Sequence, residues 1–592
     1  MESSSSSSSI YTQQPASQPA MRCSLAAAVL ATALGASASA YNGIPTAHGV
    51  QLSSPLQGIA IPNRPPVPDD DEFSYELTST GAVVRRAAAA APKVEAGFFE
   101  QLIDHEDPSR GTFTQRYWWN ADHYAGPGSP IVLNAPGENN ADGYQGYTTN
   151  RTIPGLFGQA TGGAVILLEH RYWGGSSPYE NLTAETLQYL TLDQSVADLI
   201  YFANNVKLPF DPDATSRPDK APWVLSGCSY PGALAAWTNV LAPGTFWAYH
   251  ASSAVVEDIS TLWQYYVPVE QAMARNCSAD YRRVVAHVDK VLAEGTPEKR
   301  QRLKELFGFG DLKHDADFAS AITGGLGNWQ SQQFYSGYGP FQRMCDYIEN
   351  VWPGSNATVP GADGVGQCKA IKGFAKWSRE VLIPGSCAAL GYWKDNNTVA
   401  CYDSYNTQLP SYLDTSVNNT VNRQWMWYLC NEPFEWWQTW APEATSGLIP
   451  KLFDREYNRR QCALYFPETH GHTYGLAKGR TVEQVNAKTG GWDHVNTTRL
   501  MWVNGELDPW RPATVSAELR PGGPLASTDE APVFLLPKAA HCNDAIVKNG
   551  EANPAVGKMM QQEVATIKAW VEDWYKQKGG KPKTKTGRAF EA

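Results

Sequence analysis

The chain has 592 residues, 42% of them hydrophobic and 11% aromatic. That is too long for one ordinary domain, but it suits one large domain carrying an insertion. A formal net charge of −11 argues against a nucleic-acid surface, and the only basic run, residues 576–588, reads as a solvated tail.

Residues 1–40 read as a leader and secretory signal. Met21 and Arg22 precede an apolar run from Ala26 to Leu34, and small residues follow from Ala36 to Ala40. Met21 suits the start of such a signal better than the Ser- and Gln-rich residues before it; an Ala-rich leader with no signal function is the competing reading. The run is short for a bilayer span and no later stretch qualifies, so stable membrane insertion is not expected. Secretion, or delivery to a vacuolar or lysosomal lumen, agrees with sequons at Asn150, Asn181, Asn276, Asn356, Asn396, Asn418 and Asn496, read as glycosylation acceptors. Of ten cysteines, Cys23 falls in the signal. Cys277, Cys345, Cys368, Cys387, Cys401, Cys430 and Cys462 fall in the middle of the chain, which points to disulfides there. Their pairing cannot be read from the sequence, nor can that of Cys228 and Cys542.

Residues 41–95 are rich in Pro, Ser and Ala and contain the pair Arg85-Arg86. A propeptide cut at the dibasic pair and a flexible, uncut lead-in fit equally well. Residues 96–254 then read as the first part of a mostly parallel sheet with helices on both faces. Strands are predicted over Phe113–Trp119, Pro130–Asn134, Ala164–Leu168 and Trp223–Leu225, with a helix over Leu192–Val206. After Trp223–Leu225 the chain bends at Gly227–Tyr230, and Gly232–Trp237 has helix-forming composition. Pro231 falls in the first turn of that helix, where its missing N–H costs nothing. Residues 255–490 read as an inserted, mainly helical cap held by disulfides. It begins with two helices between Ser278 and Phe307, broken at 295–297, with Ser278 or Asp280 as the first cap. The sheet pattern returns in residues 491–578 with strands over Arg499–Val503 and Val533–Leu536 and a helix over Lys558–Gln577. Residues 579–592 form the basic tail.

The strand–bend–helix around Ser229 is the arrangement that lifts a serine hydroxyl clear of a sheet. Asp508 follows one returning strand and His541 follows the next, and groups at the carboxyl ends of strands in open α/β sheets converge. The order Ser229, Asp508, His541 is that of α/β-hydrolases. A serine hydroxyl needs a neutral imidazole to take its proton, a carboxylate to orient that imidazole, and preorganised donors for the oxyanion. The donors expected are the backbone N–H of Tyr230 and one from the loop at Gly137-Glu138, assigned to Glu138. Taken singly, Ser229 reads as a turn residue, Asp508 as a turn residue before Pro509, and His541 as a satisfied loop histidine; their order at strand ends favours the triad. Cys228 reads as a buried cysteine packed behind the bend rather than a reactive thiol. His470 and His472 lack a His-Glu-x-x-His pattern and a nearby carboxylate set, so no metal or other cofactor is expected.

The segments Gly227–Trp237, Glu169–Gly174, Asn504–Trp510 and Ala540-His541, with Tyr117-Trp118 and Trp427–Glu432, resemble the serine peptidases related to lysosomal Pro-Xaa carboxypeptidase and dipeptidyl peptidase II. The likeness spans residues 95–575, and the fungal secreted members are nearest. It implies an α/β-hydrolase fold with a helical insertion over the site, cleavage after proline, and work at acid pH, which requires a base that stays neutral there. Two departures stand out: Pro231 replaces a usual glycine, and Cys542 stands where a second histidine often follows the first. A pyrrolidine ring offers no N–H, so a proline site must read shape with an apolar, aromatic wall; Trp425, Trp427, Trp436 and Trp437 are candidates, each reading equally as core. The expected partners are proline-containing peptides or proteins and no nucleic acid, with a homodimer left open. An esterase or lipase on the same triad, or a non-catalytic secreted binding protein, are the alternatives. Endo-, carboxy- and aminodipeptidyl cleavage are not distinguished.

Overall fold

The computed structural model describes residues 65–583 except 69–72, 79, 89–90 and 353. The expected signal at 1–40 and the end of the basic tail lie outside the described residues. An antiparallel hairpin comes first, β1 (Phe73–Leu77) and β2 (Val83–Ala87). It falls within the stretch expected to be a propeptide or flexible lead-in. Tyr75 is buried there beside Leu156, Phe157 and the C-terminal helix, and the dibasic Arg85-Arg86 pair sits in β2 itself.

The main sheet takes β3 (Glu95–Leu102), β4 (Thr112–Asn120), β5 (Ile131–Asn134), β6 (Ala164–Leu168), β7 (Trp223–Cys228) and β8 (Ala248–Ser252) from the first part of the chain. Two short strands of the insertion, β9 (Ile259–Thr261) and β10 (Glu435–Trp437), pair only with each other. The sheet is completed by β11 (Leu500–Gly505) and β12 (Val533–Leu536). Its eight strands run in the order β12-β11-β8-β7-β5-β6-β4-β3. Pairing is antiparallel where β4 meets β3 and β6 and parallel at every other junction.

Every residue of β5, β6, β7 and β11 is buried. This is why those segments read as unbroken apolar runs, since both faces of the sheet are covered. At the rim, β3 alternates between exposed and covered residues, as an edge strand open to water on one face should. The covering helices include α1 (Ile153–Thr161), α2 (Leu192–Asn205) and α3 (Tyr230–Leu241). The Thr191 hydroxyl caps α2 by accepting the Gln194 N–H. A C-terminal helix, Pro554–Gln577, lays Val556, Met560, Val564, Ile567 and Val571 against the sheet and α1. This is an α/β-hydrolase fold.

Between β8 and β11 lies the insertion. The break at 295–297 separates helices Arg275–Glu294 and Pro297–Phe307. Neither Ser278 nor Asp280 caps the first of these, which starts at Arg275. Asp280 is buried inside it, and its carboxylate accepts the N–H groups of Val365 and Gly366, a demand from distant backbone that local pattern does not reveal. Within the insertion, disulfides join Cys277 to Cys345, Cys387 to Cys401 and Cys430 to Cys462. Trp425, Trp427, Trp436 and Trp437 are at most 1% exposed and share one core with Tyr230 and Trp237 of α3. Sheet and insertion are therefore packed as one body. Among the described residues no helix is long and apolar enough to cross a membrane.

Candidate active site

β7 ends in Gly227 and Cys228, and α3 begins at Tyr230, earlier than its composition suggests. Ser229, between them, has φ 69° and ψ −132°, a conformation L-residues avoid and that persists only where the surroundings impose it. Two glycines make the bend compact. A Cβ on Gly227 would lie 2.2 Å from the Pro231 carbonyl oxygen, and one on Gly232 would lie 2.6 Å from that of Ser252. The close approach of helix to sheet therefore falls on Gly232, and Pro231 sits harmlessly in the first turn of α3.

The structure brings Ser229, His541 and Asp508 together. The His541 Nδ1 lies 2.9 Å from both carboxylate oxygens of Asp508, and its Nε2 lies 2.7 Å from the Ser229 Oγ. A carboxylate only accepts, so Nδ1 carries the proton and Nε2 is free to accept the serine O–H. Asp508 is held in turn by the Trp510 N–H at 2.9 Å. Each of the three residues is at most 1% exposed.

Of the two expected oxyanion donors, Tyr230 stands at the bend itself. The Ser229 N–H is committed to the Ser252 carbonyl, whereas Tyr230, first in α3, has no acceptor within its helix. Its side chain is anchored behind the site. His170 Nδ1 donates to the Arg171 carbonyl, so Nε2 accepts the Tyr230 O–H at 3.0 Å. Burial lowers the His170 pKa to about 4, which keeps this ring neutral. The loop after β5 runs alongside, with the Ala135 N–H on the Ser226 carbonyl. It brings in Glu138, whose own carbonyl accepts from Asn422 at 2.7 Å.

The insertion closes over the other side. Trp329 Nε1 donates to the Leu507 carbonyl, Gln330 Oε1 accepts from Trp510 Nε1, and Asn543 donates to the Gln332 carbonyl. Aromatic rings continue from Trp425 to Trp436, Trp510 and His541 at centroid spacings of 6.1, 6.1 and 6.5 Å. Trp427 and Trp437 are core residues away from this row, Trp427 donating to the Leu190 carbonyl.

Cys228 is neither a packed thiol nor a reactive one. It is joined to Cys542 across 314 residues of sequence. The adjacency of these cysteines to Ser229 and His541 was the signal for this pairing, but adjacency alone carries no partner information. Sequence reasoning also missed a group beneath the site, His250, Asp544 and Glu563, whose ligand-type atoms lie within 4.8 Å of one another in full burial. One imidazole and two carboxylates suit a divalent cation by type, and equally a shared-proton ion pair. Of the two histidines weighed and set aside as ligands, His470 is exposed and bonds to Glu185 through Nδ1. Of the sequons, Asn181, Asn356, Asn396, Asn418 and Asn496 are exposed, while Asn150 and Asn276 are partly covered. The Asn150 amide donates to the Tyr75 carbonyl.

Comparison with known proteins gives a consistent picture. Residues 101–561 match the family described as serine carboxypeptidase S28. The chain is 40% identical over 481 residues to serine protease vicPb of Bipolaris victoriae, covering 81% of this chain and 89% of that one. It is 29% identical over 550 residues to a probable extracellular serine carboxypeptidase of Arthroderma benhamiae, covering 87% and 73%. It is 26% identical to the human thymus-specific serine protease, covering 82% and 88%.

Proposed function

The chain belongs to the serine carboxypeptidase S28 family, and on that premise we propose a secreted exopeptidase that cleaves after proline through an acyl-enzyme on Ser229. The observation that carries this reading is the His541 ring, with Nδ1 on Asp508 and Nε2 at 2.7 Å from the Ser229 Oγ. His541 takes the hydroxyl proton as Oγ bonds to the scissile carbonyl carbon, and Asp508 stabilises the imidazolium. The carbonyl oxygen becomes an oxyanion facing the Tyr230 N–H and the Glu138 N–H. As the C–N bond breaks, the imidazolium gives its proton to the departing amine. Water, deprotonated by the same ring, then releases the acid and restores Ser229.

The finer parts of the reading have separate support. A triad at most 1% exposed, under an insertion bonded to Leu507 and Asn543, suits a chain end better than a loop of intact protein. The indole rings of Trp436 and Trp510, set edge to face beside His541, offer an apolar corner for a pyrrolidine ring. Work at acid pH accords with carboxyls that burial pushes up, the buried Glu563 and Glu349 and the half-buried Glu257 to about 7 and the buried Asp317 to about 6. These groups are neutral in acid and costly to ionise above it. Secretion accords with the disulfides and the exposed sequons.

The test is fluorophosphonate labelling together with digestion of one long proline-containing peptide between pH 4 and pH 8. Labelling and turnover are expected in the wild type, and Ser229→Ala should abolish both while the fold persists. Products should end at or begin beyond proline, from one chain end only. Absence of labelling in the folded wild type removes the peptidase reading. Turnover of acyl esters alone moves the protein to the esterases.

A further inference from the structure

We propose that the Cys228–Cys542 disulfide is a positioning clamp that holds the nucleophile and the base of the triad in register; this rests on the catalytic reading of Ser229 and His541. Cys228 immediately precedes Ser229, and Cys542 immediately follows His541. The bond therefore ties together the two backbones whose side chains must stay 2.7 Å apart.

Nothing in the strand pairing does this directly. Ser229 follows β7 and His541 follows β12, and β8 and β11 stand between those strands in the sheet. One end of the bond, and the residue next to its other end, are also under backbone constraint. Cys542 has φ 55° and Ser229 has φ 69°, each in a left-handed region disfavoured by roughly 1–2 kcal/mol for a residue with a Cβ. Such residues persist only where their surroundings over-determine them. At Cys542 the local hold is two hydrogen bonds, from its N–H to the Ser253 Oγ at 3.0 Å and to its carbonyl from the Ala545 N–H at 3.1 Å; the covalent link to Cys228 adds a tie that reaches the backbone next to Ser229. Cys542 is fully buried and Cys228 is 5% exposed, so the bond lies directly behind the reacting atoms and touches no substrate.

A clamp of this kind acts on chemistry more than on binding. The aromatic wall hangs from the insertion and from Trp510, none of which the bond restrains. Releasing it lets His541 drift from Ser229, and a displacement of about 1 Å between reacting groups costs on the order of 10²-fold in rate.

The experiment is Cys228→Ala/Cys542→Ala against Cys387→Ala/Cys401→Ala, the second removing a disulfide within the insertion. The first variant should fold, lose roughly 10- to 100-fold in kcat with KM within about threefold, and label with fluorophosphonate more slowly by the same factor. The second should keep wild-type kcat. A kcat within about twofold of wild type in the first variant overturns the proposal, as does a fall in KM-dependent terms alone. If the first variant does not fold, the wild type can be treated with dithiothreitol, which reduces the bond to two thiols as it closes to its own disulfide. The thiols are then capped with iodoacetamide and mapped by mass spectrometry. Activity should fall in step with capping of Cys228 and Cys542, and full activity in capped, folded protein overturns the clamp. Ser229→Ala separates the two levels. If it retains turnover, the triad reading fails; if it is inactive while the first cysteine variant keeps its kcat, only the clamp fails.

Discussion

Ser226, His250, Asp544 and Glu563 form a buried group of the same residue types as Ser229, His541 and Asp508, a short way along the same strand. In the lower group the Ser226 Oγ lies 2.9 Å from His250 Nδ1. The Nε2 faces Glu563 at 3.3 Å and Asp544 at 3.7 Å, and Asp544 also accepts the Ser252 O–H at 2.6 Å. In the upper group one carboxylate holds Nδ1 and the serine meets Nε2. Burial would lower the His250 pKa, but the facing Asp544 and Glu563 carboxylates outweigh it and raise the value to about 9. A ring already protonated cannot take a serine proton, and Ser226 lies in the pleat of β7 with no bend to lift it. A serine, a histidine and an acid do not make a nucleophile. On the proposed reading, what distinguishes Ser229 is the bend that presents its hydroxyl and an imidazole held at Nδ1 by one carboxylate, with Nε2 facing the serine.

The comparison breaks most sharply by removing one partner of the imidazole from each group. Asp508→Asn keeps the shape of the upper group but puts an amide against Nδ1, which favours the wrong tautomer; kcat should fall about 10⁴-fold. Ser226→Ala removes only a hydrogen bond between strand and ring. It should leave kcat within about threefold and cost roughly 1 kcal/mol of stability. Steady-state kinetics on a proline peptide, with thermal melts of each variant, check both. Comparable losses of kcat in the two would mean that the lower group takes part in the reaction.

A second contrast concerns pH. Burial raises the Glu563 pKa to about 7, with the Asp544 charge adding to it. A group whose folded pKa lies above its unfolded one contributes stability that is complete below the unfolded value and lost as pH rises through the folded value. For Glu563 the window runs from 4.5 to about 7, and for His250 from 6.5 to about 9. The melting temperature of the wild type should therefore fall as pH climbs from 5 to 9. Glu563→Gln has no carboxyl to ionise, so it should flatten the lower half of that fall, a few kcal/mol at most. An unchanged slope would separate Glu563 from the acid stability of the fold.

The two groups also differ in how far the chain announced them. Ser229, Asp508 and His541 each follow a run such as Trp223–Leu225, Leu500–Val503 or Val533–Leu536, and burial on both faces of a parallel sheet makes the first two of these apolar. Once the strands are in order, the convergence of their ends is a consequence of topology. His250 sits mid-strand, Asp544 in a loop and Glu563 on the covered face of the last helix, so nothing in their neighbours marks them as partners. The same is true of Asp280, which serves backbone from another segment, and of the Cys228–Cys542 pair. The β1–β2 hairpin was hidden by the Pro-, Ser- and Ala-rich composition around it, although Phe73–Leu77 alternates as a half-covered strand does.

The smallest effect is expected where the sequence departs from the Gly-x-Ser-x-Gly pattern. If the lift of Ser229 away from the pleat that holds Ser226 depended on residue 231, Pro231→Gly would relax the bend and lower kcat. The contacts place that dependence elsewhere. Gly227 and Gly232 are the residues whose absent Cβ atoms let α3 meet the sheet, at 2.2 Å and 2.6 Å from backbone oxygens. Pro231 contributes a fixed φ and no donor in a turn that needs none. Its replacement by glycine should act chiefly through a freer unfolded chain, costing about 0.4–1 kcal/mol and leaving kcat/KM within about threefold. Denaturant titration and kinetics on the same preparation decide it. A tenfold loss of kcat/KM with stability unchanged would move the origin of the bend from the two glycines to the proline between them.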